Sequence, residues 1–179
     1  IANKLFSRIG ASDNISKGQS TFMVEMLETS NIIKNADDKS FIILDEIGRG
    51  TSTFDGLAIA WAIIEKVLRS NKSRTLFATH YHELTEIEKT NSKVRNVSCE
   101  IKEWNDEIIY SYKVVEGKSK GSLGIKVAEL AGFPGDVIVE AKALLGKLQS
   151  KGVKQEDIHL KEKDFEKERF IIVQNELGK

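Results

Sequence analysis

Cysteine, proline and long apolar runs are nearly missing from this chain of 179 residues. Cys99 is the only cysteine, which excludes an internal disulfide, and we expect it to be a small buried apolar group in a reducing compartment. No apolar run approaches the length of a membrane-spanning helix, and no signal peptide is visible. The length suffices for one compact α/β domain and an appendage.

An excess of one charge is also missing, because 27 basic residues balance 27 acidic residues. DNA binding usually shows as a basic excess. We therefore expect any DNA contact to lie outside this chain. The first residue is Ile1 rather than methionine, and we expect the chain to be part of a longer protein.

Strands and helices alternate in the first half of the chain. Strands are predicted at Leu5–Ile9, at Phe41–Leu44 and at Arg74–Ala78, and the unbroken apolar run of the second suits a strand buried on both faces. Helices are predicted at Phe22–Asn35 and from Phe54 to Leu68. The apolar residues of the first helix should lie on one side: Phe22, Met23, Met26, Leu27 and Ile33. Strand, loop and helix in repetition predict a doubly wound α/β sheet.

The second half has a different pattern. A short helix is predicted at Glu83–Lys89, and the strands Val94–Trp104 and Glu107–Val115 should form a hairpin. Two helices should flank Gly132–Gly135. From Lys151 the chain is highly charged, which favours a solvated or partly disordered tail.

Polar clusters follow the predicted strands, at Ser12–Ser20, Asp45–Glu46 and Thr79–His80. In doubly wound sheets the functional groups collect at the carboxyl ends of the strands. The three clusters therefore predict a functional site at this edge.

The pair Asp45–Glu46 has two interpretations. Asp45 can hold Mg²⁺ through water, while Glu46 orients and deprotonates an attacking water as general base. Alternatively, both are solvated acids at the end of a strand. The pair alone does not decide between them.

The other clusters are equally open. Gly18, Ser20 and Thr21 at the start of a helix can form an anion site or a plain helix cap. The loop of Gly48, Arg49, Gly50, Thr51, Ser52 and Thr53 can be functional, or an ordinary connection with Thr53 as the cap. His80 can donate to a phosphate or bond a loop carbonyl. A zinc site built on His80 and His82 is disfavoured, since few further ligands exist.

Taken in order, three segments resemble the ATPase of the MutS mismatch-repair family: Ser20–Met26, Leu44–Gly56 and Phe77–Thr85. The middle segment is the most specific. The resemblance continues through Ser122–Pro134, which is similar to that family's helical dimerisation element, although Leu123 stands where the family more often has an aromatic residue.

The resemblance implies a P-loop NTPase-like fold of the ABC ATPase kind, a layered sheet with flanking helices, followed by a small helix-turn-helix element. It implies the C-terminal part of an ATPase domain over 1–117, a dimerisation element over 118–150 and a charged tail over 151–179. Glu46 and His80 would be catalytic, with His80 sensing the γ-phosphate, and Asp45 would serve Mg²⁺. Gly18, Ser20 and Thr21 would reach ATP bound to the other subunit, and the loop 48–53 would lie across the dimer interface.

The implied cofactors are ATP and Mg²⁺. The implied partners are a second MutS-type subunit, mismatched double-stranded DNA bound outside this chain, and repair proteins of the MutL type. Binding to a membrane is not expected. The expected location is the cytoplasm, at the nucleoid in a bacterium.

The motif Gly-x-x-x-x-Gly-Lys-[Ser/Thr] is missing from the sequence, and Gly117-Lys118-Ser119 lacks the first glycine because position 112 is Tyr112. We expect the phosphate-binding loop before Ile1, and this chain alone to be inactive. The alternatives are another ABC-type ATPase, although its usual Leu-Ser-Gly-Gly-Gln is missing, and a non-catalytic dimerisation fragment.

Overall fold

A six-stranded sheet organises the chain. The computed structural model describes residues 2–10, 21–104, 107–119, 123–150 and 170–174. The strands are β1 (Lys4–Arg8), β2 (Ser40–Asp45), β3 (Arg74–Thr79), β4 (Val94–Trp104), β5 (Glu107–Glu116) and β6 (Phe170–Gln174). Their order is β1-β2-β3-β6-β4-β5. All neighbours are parallel except β4 and β5, which form the predicted antiparallel hairpin.

Two helices connect the first three strands. Helix α1 (Thr21–Asn35) follows β1, and α2 (Thr53–Lys66) follows β2. Ser52 caps α2, because its side-chain oxygen accepts the Asp55 N–H at 3.3 Å. The interpretation of Thr53 as the cap is therefore wrong. A single π turn, Val67–Asn71, extends α2, and left-handed Lys72 ends it.

The remaining helices are short, or lie beyond the hairpin. The predicted helix near residue 83 is a 3₁₀ segment, His82–Glu86, followed by α3 (Ile87–Thr90). The two helices flanking the glycines are α4 (Gly124–Leu130) and α5 (Gly135–Ser150). Along α5, Val137, Leu144 and Leu148 are exposed. None of the helices that the structure describes is both long and apolar enough to cross a membrane.

The core is formed by one cluster between the sheet and its helices. Ile42, Leu44 and Phe77 of the sheet belong to the same buried cluster as Ile32 of α1 and Ile64 of α2. The alternate strand positions, Phe41, Ile43 and Leu76, are only half-buried. Since alternate residues of a strand point to opposite faces, the described helices cover mainly one face. The predicted doubly wound sheet, which has helices on both faces, therefore does not describe this part of the chain.

The buried face of α1 agrees only in part with the predicted one, since Met26 and Ile33 pack against the core. Met23 and Leu27 are more than half exposed, whereas Glu25, Thr29 and Ile32 are buried. The buried Glu25 carboxylate accepts a hydrogen bond from the Gly48 N–H inside the fold. Two smaller differences concern Cys99, which is half-buried rather than fully buried, and β6, which lies within the segment predicted to be a solvated tail.

Candidate functional site at the carboxyl edge of the sheet

Two of the three predicted polar clusters meet. Strands β2 and β3 are parallel neighbours, and Asp45 is in register with Ala78. Asp45–Glu46 and Thr79–His80 therefore leave the sheet side by side at its carboxyl edge. The third cluster falls in residues 11–20, so Gly18 and Ser20 lie outside the described residues. Thr21 is the first residue of α1 and is exposed.

Glu46 has an unusual backbone conformation. Its φ angle is +55°, in the left-handed region that few residues other than glycine adopt. The Glu46 N–H donates to the Ala78 carbonyl at 3.0 Å, which ties this turn to β3. The Arg49 N–H donates back to the Glu46 carbonyl at 3.3 Å. These bonds hold a strained residue in place, a pattern common at functional sites.

The Glu46 carboxylate lies between two basic groups. His80 donates from Nδ1 to Oε2 of Glu46 at 3.2 Å, and Nη1 of Arg49 is 3.6 Å from the same oxygen. The hydrogen bond from His80 lowers the pKa of Glu46 despite its partial burial, and the charges of His80 and Arg49 act in the same direction. Glu46 is therefore a carboxylate at neutral pH, able to accept a proton or a hydrogen bond.

His80 is half-open to solvent, and its neighbour Tyr81 is buried. The rings of His80 and Tyr81 lie 4.2 Å apart and are tilted. The Tyr81 hydroxyl donates to the Gly48 carbonyl at 3.0 Å. Burial raises the pKa of Tyr81, as do the nearby carboxylates of Glu25 and Glu46. Tyr81 thus remains a neutral hydroxyl donor at physiological pH.

The loop after β2 is held at Gly48. Its φ angle is +92°, and its N–H donates to Oε1 of buried Glu25 at 2.7 Å. A Cβ added at Gly48 would meet the backbone oxygen of Gly56 at 2.6 Å. A Cβ added at Gly56 would lie 2.1 Å from the Tyr81 hydroxyl and 2.3 Å from the Gly48 carbonyl oxygen. Both positions therefore require glycine.

The rest of the loop 48–53 is more open. Arg49 and Gly50 are exposed and Thr51 is half-buried. A Cβ added at Gly50 would meet Phe22 of α1 at 3.1 Å, so the loop approaches α1 at a second point. Ser52 caps α2 and Thr53 is the first residue of that helix.

Sequence reasoning missed three residues at this edge: Glu25, Gly56 and Tyr81. Each belongs to a segment that carried the resemblance, but none had a recognisable chemical role in its local pattern. In the sequence, Glu25 looks like any surface carboxylate of a helix. The contacts of Glu25 and Tyr81 with Gly48 join residues 23 and 33 positions apart, which a local pattern does not reveal.

The fold and this edge define a class: an α/β domain with a mainly parallel sheet, whose carboxyl edge brings a carboxylate and a histidine into hydrogen-bond contact. The family model of MutS domain V matches residues 1–149. The chain belongs to the MutS family.

Named relatives agree with this assignment. The chain is 58% identical over 147 residues to the DNA mismatch repair protein MutS of Desulfosudis oleivorans, covering 81% of this chain and 17% of the relative. It is 52% identical over 177 residues to that of Finegoldia magna, covering 99% and 20%. It is 51% identical over 173 residues to that of Clostridium tetani, covering 94% and 20%. The chain thus spans at most about a fifth of the length of these relatives.

Proposed function

We propose that this chain is the C-terminal part of the ATPase domain of a longer DNA mismatch-repair protein. In that proposal, residues 1–117 belong to a P-loop NTPase-like layered sheet of the ABC kind. Residues 118–150 form a helical dimerisation element, and residues 151–179 follow as a tail. The phosphate-binding loop would be supplied by residues that precede residue 1.

The observation that carries the proposal is the contact between Glu46 and His80 beside Asp45. Glu46, kept ionised by His80, orients a water molecule and accepts its proton as that water attacks the γ-phosphate. His80 has its Nδ1 engaged with Glu46, which leaves Nε2 as the ring nitrogen for sensing the phosphate. These roles use one hydrogen bond of 3.2 Å that the fold already provides.

The donor set at this edge fits Mg²⁺ and phosphate. Mg²⁺ prefers one or two carboxylates together with water and phosphate oxygens rather than a closed protein cage. Asp45 supplies such a carboxylate, and the part of the chain that the structure describes contains no group of three or more His, Cys, Asp and Glu side chains able to hold a metal ion. When bound, Mg²⁺ would neutralise charge on the phosphate oxygens.

A dimer completes the proposed sites. Gly18, Ser20 and Thr21 reach the nucleotide of the partner subunit, and the loop 48–53 lies against that subunit. Two observations support an interface: Arg49 and Gly50 are exposed, and the apolar residues Val137, Leu144 and Leu148 of α5 are uncovered in the single chain. Burial of such apolar area is a main driving force of association.

The proposed function of the full-length protein is to couple ATP turnover to its affinity for mismatched DNA. The relatives are named DNA mismatch repair proteins, and the balanced charge of this chain agrees with DNA contacts elsewhere in the protein. Repair proteins of the MutL type are the proposed downstream partners, and the cytoplasm, at the nucleoid in a bacterium, is the proposed location.

The test uses the purified full-length protein and two DNA duplexes that differ in one mismatched pair. We expect Mg²⁺-dependent ATP hydrolysis, tighter binding to the mismatched duplex, and a change of that binding when ATP is added. A protein that dimerises but neither hydrolyses ATP nor distinguishes the duplexes would support the non-catalytic dimerisation fragment instead. Hydrolysis without mismatch preference would support another ABC-type ATPase.

A further inference from the structure

Both backbone polar groups of Gly48 are hydrogen-bonded to buried side chains. Its N–H donates to Glu25 of α1, and its carbonyl accepts the Tyr81 hydroxyl, at 2.7 and 3.0 Å. Both side chains are more than nine-tenths buried. We call Glu25, Gly48 and Tyr81 the Gly48 clamp. It joins three separate segments: α1, the turn after β2, and the residues after β3.

The buried carboxylate of Glu25 is the unusual part. A carboxylate inside a protein is costly unless charge or several donors compensate it. None of the ion pairs between described residues includes Glu25. Its donor is the backbone amide of Gly48, a charge-assisted bond that is short and directional. Such a bond fixes the position of that amide.

The position of Gly48 determines the position of Glu46. Only Ile47 separates the two residues, and the Arg49 N–H closes the turn on the Glu46 carbonyl at 3.3 Å. Glu46 is in a left-handed conformation, with φ at +55°, and such strain persists only where surrounding contacts over-determine it. On the other side, Tyr81 follows His80 directly, so the clamp also restrains the segment that carries the histidine.

We infer that Glu25 and Tyr81 are positioning residues that, through Gly48, hold the Glu46 carboxylate against His80. Their effect on hydrolysis rests on the proposed function, whereas their effect on the turn does not. Neither residue contacts the reacting atoms. Loss of the clamp lets the turn relax and displaces Glu46, which slows the chemical step while leaving nucleotide binding in place.

The experiment compares Glu25→Ala, Glu25→Gln and Tyr81→Phe in the full-length protein. Glutamine keeps a carbonyl oxygen that accepts the Gly48 N–H, and phenylalanine removes only the hydroxyl. Matched controls are Glu65→Ala, whose carboxylate pairs with Arg69 on its own helix, and Tyr112→Phe, whose ring is exposed. Three quantities are measured: hydrogen exchange of the backbone at residues 46–52 without nucleotide, the kcat and KM of ATP hydrolysis, and the affinity for a non-hydrolysable ATP analogue.

We expect Glu25→Ala and Tyr81→Phe to accelerate exchange at residues 46–52 by about ten-fold, as for loss of one or two protecting hydrogen bonds. We expect kcat to fall on the order of 10- to 100-fold, the scale of small misplacements of a catalytic group, with KM and analogue affinity nearly unchanged. Glu25→Gln should restore most of the exchange protection and most of kcat, and the two controls should resemble the unmodified protein.

Several results would overturn the inference. One is unchanged exchange at residues 46–52 in both Glu25→Ala and Tyr81→Phe. Another is an equal loss in Glu25→Gln and Glu25→Ala, and a third is a loss confined to KM. If Glu25→Ala does not fold, Tyr81→Phe still tests the loss of one clamp bond, and Glu25→Gln still tests a variant that keeps both. If the unmodified protein hydrolyses no ATP, the proposed function fails, and the exchange data still support or overturn the clamp.

Discussion

Nδ1 of His80 lies 3.2 Å from Oε2 of Glu46. This contact joins the ends of two neighbouring parallel strands, β2 and β3. The hydrogen bond from His80 lowers the pKa of Glu46. A carboxylate and a histidine that are 34 positions apart in the sequence thereby act as one unit.

The pKa of Glu46 predicts a pH dependence. Because the pKa is lowered in the folded protein from its ordinary value of 4.5, the interaction stabilises the folded state above that value. This stabilisation is lost as the pH falls through the lowered pKa. In His80→Ala of the full-length protein the pKa of Glu46 should rise, and, under the proposed function, the acid limb of ATP hydrolysis should move to higher pH. Rate profiles of the two proteins from pH 4 to 8 check this, and superimposable acid limbs would contradict it.

Much of this edge follows from the sequence, for a simple reason. A buried apolar run that ends in acids, and a second run that ends in a histidine, must meet if the two strands are parallel neighbours. The placement of Asp45, Glu46 and His80 at one edge was therefore predictable. The hairpin of β4 and β5 was predictable from alternation and its turn.

The remainder depends on contacts between distant segments. Glu25 was indistinguishable from any surface carboxylate of a helix, because its partner is a backbone amide 23 positions away. The left-handed turn at Glu46 has no glycine to indicate it. Strand β6 is five residues long within a charged segment, and its pairing with β3 and β4 is not encoded in a local pattern.

The contact between Gly48 and Gly56 predicts a matched pair of substitutions. In Gly56→Ala the new Cβ would lie 2.1 Å from the Tyr81 hydroxyl, which should destabilise the protein by about 1–3 kcal/mol through overpacking. In Gly146→Ala, within α5, the new Cβ meets nothing within 4 Å, and stability should rise by about 0.5–1 kcal/mol because alanine favours a helix. Thermal unfolding midpoints compare them, and equal midpoints would contradict the close approach.

The isolated chain of 179 residues should bind ATP weakly or not at all. The proposal assigns most phosphate contacts to a loop outside it, so the chain contributes only one wall of the site. Titration calorimetry with ATP and Mg²⁺ measures this directly. Submillimolar affinity would show that the chain holds a complete nucleotide site.

The proposed role of Ser20 predicts an effect in the partner subunit. Mixed dimers with Ser20→Ala in one subunit and a broken phosphate loop in the other should keep one active site, since an intact loop still faces an intact serine. With both lesions in the same subunit, both sites should fail. Loss of one donor to the phosphate should cost about 3 kcal/mol at most.

ATPase assays on the two mixed dimers separate the possibilities. A serine that serves its own subunit predicts the reverse assignment of active and inactive dimers. Equal activity of the two mixed dimers would contradict the composite site, and Ser20 and Thr21 would then be interpreted as a helix cap.

The most direct test of the whole account is the hydrolysis rate of Glu46→Gln in the full-length protein. Glutamine keeps the shape of the side chain but cannot accept the proton of the attacking water. Turnover should fall by about 10²-fold or more, the scale of general-base loss, while ATP affinity survives and Glu65→Gln behaves like the unmodified protein. An unchanged turnover rate in Glu46→Gln, with ATP bound normally, would contradict the account.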